Sequence, residues 1–223
     1  MTVRVVAIDG PAASGKSSTA AAVARRLGFL HVDSGALYRG LTRVALDLGP
    51  PFDPEHILAS AEARGLAFRI GHGALSPWLD DHPAEPRIRA EDVTAAVSEV
   101  SALPAIRDWV NQRLRALATP DRVLVLDGRD IGTAVFPDAA LKVFLVATPA
   151  VRAERRLRQR GDRVEADRLR AEADRIAARD AADSSRAVAP LAAAADAVRI
   201  DTSDLDFPAQ VDRIVALARA AGL

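Results

Sequence analysis

The chain of 223 residues contains no cysteine, so neither a disulfide framework nor thiolate chemistry is open to it. It also lacks net charge, because 30 basic and 30 acidic residues cancel. That balance argues against general binding to nucleic acid or to a membrane surface. No apolar run approaches the roughly 20 residues that a membrane span requires. The histidines, His31, His56, His72 and His82, show no metal-ligand spacing. No internal repeat is visible. The β-branched run that begins at Val3 is expected to leave no room for a signal peptide. The expectation is therefore a cytoplasmic protein, acting as a monomer. What the chain has instead is apolar bulk. Hydrophobic residues make up 49%, which suffices for a sizeable core in one domain with room for an inserted lobe.

One stretch organises the rest. Gly10, Pro11, Ala12, Ala13, Ser14, Gly15, Lys16 and Ser17 fit the P-loop pattern of glycine, four residues, then glycine, lysine and serine or threonine. The β- and γ-phosphates of a nucleotide carry dense negative charge, and consecutive backbone N–H groups can surround them. Glycine lets the backbone approach closely. Lys16 adds a point charge, and Ser17 offers a hydroxyl to Mg²⁺. The flanks suit the motif. Val3 to Ile8 reads as a buried strand, and Ser18 to Leu27 as an alanine-rich helix that stops at Gly28.

Beyond the loop, Phe29 to Val32 reads as a second parallel strand, ending in Asp33, Ser34 and Gly35. Ligands of doubly wound sheets bind at the carboxyl ends of strands, so these residues and Arg39, one helical turn further on, can meet a substrate. A plain helix cap with a solvated arginine would account for them equally. Gly49, Pro50 and Pro51 then break the βα alternation. From 50 to 103 the chain reads as an inserted lobe, interrupted by Pro54, Pro77, Pro83 and Pro86. Within it, Leu66 to Ile70 alternates like a half-wet strand, Gly71-His72-Gly73 reads as a hairpin turn, and Pro77 suggests an edge strand. Glu91 to Ser101 reads as a helix with Val93, Val97 and Val100 on one face, and Pro104 starts another, running to about Leu117.

Arg122 to Leu126 is a further buried strand. It delivers Asp127, Gly128, Arg129 and Asp130, where an acid can hold the Mg²⁺ shell and an arginine can grip phosphate. An Asx turn with a surface ion pair is the competing account. Leu141 to Val146 is another core strand. A helix from Pro149 to Gly161 carries Arg152, Arg155, Arg156, Arg158 and Arg160. It is either a solvated face, with Glu154 pairing Arg158, or a mobile lid over phosphates. Between Arg168 and Arg186 a second charged helix places Arg179, Asp183 and Arg186 on one face. Ala197 to Ile200 reads as a last strand, and Pro208 to Ala220 as a closing helix.

These motifs together resemble the bacterial cytidylate kinases, P-loop nucleoside monophosphate kinases, over essentially the whole chain. The resemblance rests on Gly10–Ser17, on Asp33-Ser34-Gly35-Ala36-Leu37-Tyr38-Arg39, on Asp127-Gly128-Arg129-Asp130-Ile131-Gly132-Thr133, and on Arg179-Asp180 continuing to Pro190-Leu191. The long insertion after the second motif sets this group apart from other monophosphate kinases. The resemblance implies an α/β, three-layer P-loop NTPase fold. Its five-stranded parallel sheet would carry an inserted monophosphate-binding lobe, 50–103, and a short lid, 149–163, on a core of 1–49, 104–148 and 164–223. It implies transfer of the γ-phosphoryl group of ATP to CMP or dCMP, with Mg²⁺. Gly10 to Ser18 would hold ATP. Ser34, Arg39 and Arg129 would meet the acceptor nucleotide. Ser98, Arg107, Asp130 and Arg186 would read cytosine, Arg179 and Asp183 would face the ribose, and Arg155 would be a lid arginine. Ser17, joined by Asp127, would serve the metal.

Two alternatives stand beside this reading. One is a non-catalytic nucleotide switch, although the Asn/Thr-Lys-x-Asp motif by which GTPases read their base is absent. The other is a kinase for UMP, AMP, shikimate or another small acceptor.

Overall fold

The computed structural model describes residues 3–71 and 74–223. Strand β1 (Val3–Asp9) runs into the glycine-rich loop and helix α1 (Lys16–Leu27). Then come β2 (Leu30–Asp33), α2 (Ser34–Leu48), α3 (Pro54–Ala63), β3 (Ala67–Gly71), β4 (Ala74–Leu79) and the two-residue β5 (His82–Pro83). Helices α4 (Glu85–Ile88), α5 (Glu91–Val100) and α6 (Pro104–Ala116) lead back to β6 (Leu124–Gly128). A π-helical turn, Ile131–Val135, precedes β7 (Ala139–Val146), and the chain ends with α7 (Pro149–Arg160), α8 (Ala166–Ser184), β8 (Val198–Asp201) and α9 (Phe207–Ala220).

The sheet runs β3-β4-β2-β6-β1-β7-β8, with β5 paired to β4. The five parallel strands expected from the sequence are β2, β6, β1, β7 and β8. The sheet itself has eight strands, because β3, β4 and β5 pair antiparallel and β4 joins the edge of β2 through His31 and Ala74. The strand alternation at Leu66–Ile70 was legible, but whether that hairpin stood apart or extended the sheet was not. The expected hairpin turn Gly71-His72-Gly73 lies in part outside the described residues.

Pro77 corrects a second expectation, since β4 is flanked on both sides. The Pro77 carbonyl accepts from Ala84 N at 2.9 Å. N–H and C=O of one strand residue point the same way, so the missing donor faces the short β5 side and costs the long β3 pairing nothing. Helix α3 went unread, although Asp53 accepts from Glu55 N and Pro54 occupies the first turn, the ordinary signature of a helix start.

Period-two alternation in β1 divides the interior. Val5 and Ala7 point into a core with α2, α3 and α6, while Val6 and Ile8 point into one with α1 and α9. Burial on both faces is what makes the strand a continuous apolar run. The parallel strands all end at the same side of the sheet, where Asp9 lies beside Gly128 and Asp33 beside Asp127. Helices α7 and α8 cover that side, and the loop at Gly10–Gly15 opens toward it.

Gly10 shows why the loop begins with glycine. Its φ is 150°, and a Cβ there would lie 2.2 Å from the Leu145 carbonyl oxygen of β7. Gly10→Ala should therefore destabilise the fold by roughly 2–4 kcal/mol through strain and backbone overlap. Urea unfolding reads this directly, and an unchanged midpoint would show that β1 and β7 do not meet here as described.

Candidate active site

A cleft of about 1200 Å³ opens at the carboxyl ends of the parallel strands. On one side is the glycine-rich loop. Ala12, Ala13, Gly15, Lys16, Ser17 and Ser18 line the cleft; Gly10, Pro11 and the fully buried Ser14 lie behind them. Gly15 has φ 89° and turns the chain into α1, so the helix N-terminus, with its free N–H groups, faces the cavity. Lys16 is buried and donates to the Pro11 carbonyl at 2.6 Å. Burial first, and then the nearby Arg129, hold its pKa well below the ordinary lysine value. An anion in the loop would relieve both effects.

Opposite the loop stands a cluster of arginines. Arg39, from α2, donates to Thr94 Oγ1 at 2.8 Å and to the Ile88 carbonyl at 3.2 Å. Burial, then Arg179 and Arg89, pull its pKa down to about 9. Arg129 Nε donates to Asp183 Oδ2 at 2.9 Å. Arg179 is pulled down to about 10 by burial and then by Arg129, and its Nε is buried with no hydrogen-bond partner. Phosphate oxygens, which guanidinium groups grip bidentately, would offset this crowding.

Deeper in the cleft lies a polar pocket. Arg107 is 1% exposed. It donates through Nη2 to Asp130 Oδ2 and through Nη1 to the Ser101 carbonyl at 3.0 Å, and it lies 5.3 Å from the centre of the Tyr38 ring. Arg186 donates through Nε to the Asp183 carbonyl at 3.1 Å, while its buried Nη2 makes no hydrogen bond and has Asp183 Oδ1 3.7 Å away. Among the described residues, Asp130 Oδ1 makes no hydrogen bond. The pocket thus offers buried donors without hydrogen bonds, Arg107 Nε and Arg186 Nη2, beside a carboxylate oxygen that accepts none. Ser98 is not in it; it lines a smaller adjoining cavity beside α8, and Ser101 occupies the cleft instead.

Ser34 does not act as a helix cap. It is the first residue of α2, and its Oγ donates to the Asp127 carbonyl at 2.7 Å. Asp33 makes no side-chain cap bond; it accepts from Arg89 Nη2 at 2.5 Å. Asp127 accepts from Ser17 Oγ on one oxygen and meets His31 Nε2 at 2.9 Å on the other. Burial first, and then Asp33, raise the Asp127 pKa. A hydroxyl and an under-neutralised carboxylate, side by side next to a phosphate loop, are the oxygen donors that Mg²⁺ takes when phosphates and waters complete its shell.

Comparison with known proteins gives the family. The family model described as cytidylate kinase matches residues 6–220. The cytidylate kinase of Chromobacterium violaceum is 44% identical over 215 residues, covering 96% of this chain and 95% of that one. That of Streptococcus equi subsp. equi is 44% identical over 94% of this chain and 93% of its own. A bifunctional pantoate ligase/cytidylate kinase of Synechococcus sp. is 43% identical over 96% of this chain, which spans 40% of that longer protein. The chain belongs to the cytidylate kinase family. Membership makes it an enzyme and removes the reading as a non-catalytic switch.

Helix α7 carries its arginines in different directions. Arg155 lines the cleft, yet its guanidinium donates to Thr202 Oγ1 at 2.9 Å and to the Thr202 carbonyl at 2.6 Å. Arg156 and Arg160 also line the cleft. Arg152 is buried and turned away from it. Sequence reasoning missed Asp9, which accepts from Ile131 N at 2.9 Å and Gly132 N at 2.8 Å and so fixes the turn after Asp130. Burial lifts its pKa to about 6. An acid ending a buried strand was the available signal. Tyr38 and Ser101 were missed as well, the former because a lone aromatic within a helix looks like core.

Crowding has a stability consequence. A folded-state arginine pKa below the unfolded value means that the charged form is penalised in the fold. The penalty is complete at neutral pH and fades only as pH rises through about 10. Arg179→Met should therefore stabilise the nucleotide-free protein by about 1 kcal/mol, or roughly 2–4 °C in melting temperature. Thermal unfolding without nucleotide tests this, and a lower melting temperature would mean that Arg179 is satisfied in the empty cleft.

Proposed function

We propose that the cleft transfers the γ-phosphoryl group of ATP to the 5′-phosphate of CMP or dCMP. The bond from the γ-phosphorus to its bridging oxygen breaks, and a bond to an acceptor phosphate oxygen forms, giving ADP and CDP or dCDP. One observation carries the reading. A phosphate loop and a buried pocket fit for a polar base lie in the same cavity, with unneutralised arginines between them.

In this proposal Gly10 to Ser18 hold the ATP phosphates and Lys16 follows the moving charge. Arg39, Arg129 and Ser34 receive the acceptor phosphate, and Arg179 with Asp183 face the ribose. Arg107, Asp130 and Arg186 read the base, and Ser98 joins them when α5 swings toward the cleft. The stretches 50–103 and 149–163 act as lobe and lid on the core of 1–49, 104–148 and 164–223, with Arg155 released from Thr202 toward the donor on closure. Ser17 and Asp127 would hold Mg²⁺, which when bound supplies charge neutralisation at the phosphates. The proposal places the enzyme in the cytoplasm as a monomer; no described helix is long and apolar enough to cross a membrane.

Chemistry asks little of acid–base groups here. A phosphomonoester has its second pKa near about 6, so the acceptor arrives deprotonated at neutral pH and needs no general base. Positioning and charge stabilisation remain, which the loop lysine and the arginines supply. Closing the cleft excludes water as a rival acceptor.

Base choice follows from donors and acceptors. Cytosine presents an amino donor at N4 and acceptors at N3 and O2, whereas uracil presents O4 and a proton at N3. A carboxylate oxygen of Asp130 accepts from the amino group, and buried guanidinium groups donate to the acceptors. Uracil would leave these groups mismatched, which discriminates more strongly than shape.

An ADP-release assay with CMP, dCMP, UMP and AMP tests the proposal. CMP and dCMP should exceed UMP by about 100-fold or more in kcat/KM. Asp130→Asn keeps the size but turns an acceptor into an amide, so the preference should narrow by tenfold or more. Equal losses for CMP and UMP would remove Asp130 from base reading. Lys16→Ala should lower turnover about 100- to 1000-fold with the melting temperature little changed; ordinary turnover would sink the assignment of the loop as the ATP site.

A further inference from the structure

The reaction just described leaves Asp180 and Arg152 without a role, although both sit at the edge of the loop. Ala12 N donates to Asp180 Oδ1 at 2.8 Å, across 168 positions of sequence. Arg152 Nη1 donates to the Ala12 carbonyl at 3.0 Å and also to Asp180 Oδ2. Arg152 is itself anchored by Nε on the Ala147 carbonyl at 3.1 Å. Both backbone polar groups of Ala12 are thus committed to an ion pair built from α7 and α8. Beneath it, Ala12 packs in a small apolar cluster with Ala153 of α7 and Ile176 of α8, joined by Ala13 and Leu169.

This arrangement is more than a surface ion pair. Arg152 is buried, and its partners are a carboxylate and backbone carbonyls, so the bonds are charge-assisted and shielded from water. The next residue needs the support. Ala13 has φ 57°, a left-handed conformation that a residue with a Cβ resists and that persists only where its surroundings impose it. Asp180 also sits between Arg179 and Asp183 on α8, and both of those line the acceptor half of the cleft. A shift of α8 therefore moves the Ala12 peptide and the acceptor-facing groups together.

We propose that Asp180 and Arg152 are positioning residues that clamp the phosphate loop at Ala12 and, through α8, couple the donor site to the acceptor site. The inference rests on the reading of Gly10–Ser18 as the ATP loop. Coupling of this kind is reciprocal: whatever CMP does for ATP affinity, ATP does for CMP.

Three measurements on the full chain test it. Hydrogen exchange of wild-type protein should slow in the peptide spanning 12–14 when CMP alone is added; unchanged exchange overturns the coupling. In steady-state kinetics, Asp180→Asn, which keeps an acceptor for Ala12 N but loses the charge facing Arg152, should raise the KM for ATP about tenfold or more. The KM for CMP should rise less, and Asp180→Glu should recover part of the loss. In binding of a non-hydrolysable ATP analogue, the tightening produced by CMP should shrink at least severalfold in Asp180→Asn and in Arg152→Lys. A lower melting temperature with the two KM values unchanged, or raised by one factor, would make the pair merely structural and overturn the proposal. Failure of Asp180→Asn to fold leaves the wild-type exchange and Arg152→Lys to decide. Lys16→Ala separates the two claims. If it retains ATP use, the donor-site reading fails; if it loses ATP use while Asp180→Asn keeps its ATP KM, only the clamp fails.

Discussion

Uncompensated positive charge in a half-dry cleft is the constraint on which the rest depends. Lys16, Arg39 and Arg179 are all held below their ordinary pKa by burial and by other cations. Arg179 Nε and Arg186 Nη2 make no hydrogen bond within the protein, and Arg186 Nη2 has only the Asp183 carboxylate, at 3.7 Å, beside it. A fold selected for stability alone would pair or expose such groups. Here the carboxylates nearby are already engaged: Asp183 with Arg129, Asp130 with Arg107, Asp33 with Arg89. What remains is a demand for phosphate, and two phosphorylated substrates meet it.

The sheet makes this crowding possible. Five parallel strands deliver their carboxyl ends to one side, where β1 runs into the loop and β2 and β6 bring Asp33 and Asp127 to the cleft. Beyond β2, β4 packs against α4, whose C-cap residue Arg89 lines the cleft, and α5, packed on α2, supplies Thr94. Helices α7 and α8 close the other flank with arginines that point inward and one, Arg152, that points back at the loop. The charged cleft and the apolar core are thus separate layers, so the strain of one need not disturb the packing of the other.

The legible parts were those with a strong local signal. The buried strands read as apolar runs, and Gly10 to Ser17 reads as a phosphate loop, because close backbone approach and φ > 0 restrict which residues can stand there. Asp127, Arg129 and Asp130 were legible from their place after a strand. Long-range pairing was not. Nothing local shows that β4 would join β2, that Ser34 would bond the Asp127 carbonyl rather than cap its own helix, or that Arg155 would rest on Thr202. Ser98 illustrates the same limit: Ser101, the C-cap of α5, lies less than one turn further on, and only the packing of that helix decides which serine faces the cleft. Asp180 was visible as a charge in a motif, but its bond to Ala12 spans most of the chain.

Direct observation of the reaction by ³¹P NMR tests the central claim, that one cleft passes a phosphoryl group between two bound nucleotides. With ATP, CMP and Mg²⁺, the account predicts that ADP and CDP grow in equal amounts from the first turnovers, with no inorganic phosphate above the enzyme-free control. Inorganic phosphate accumulating while the CMP resonance stays constant would contradict it, since water rather than the acceptor phosphate would then be taking the group.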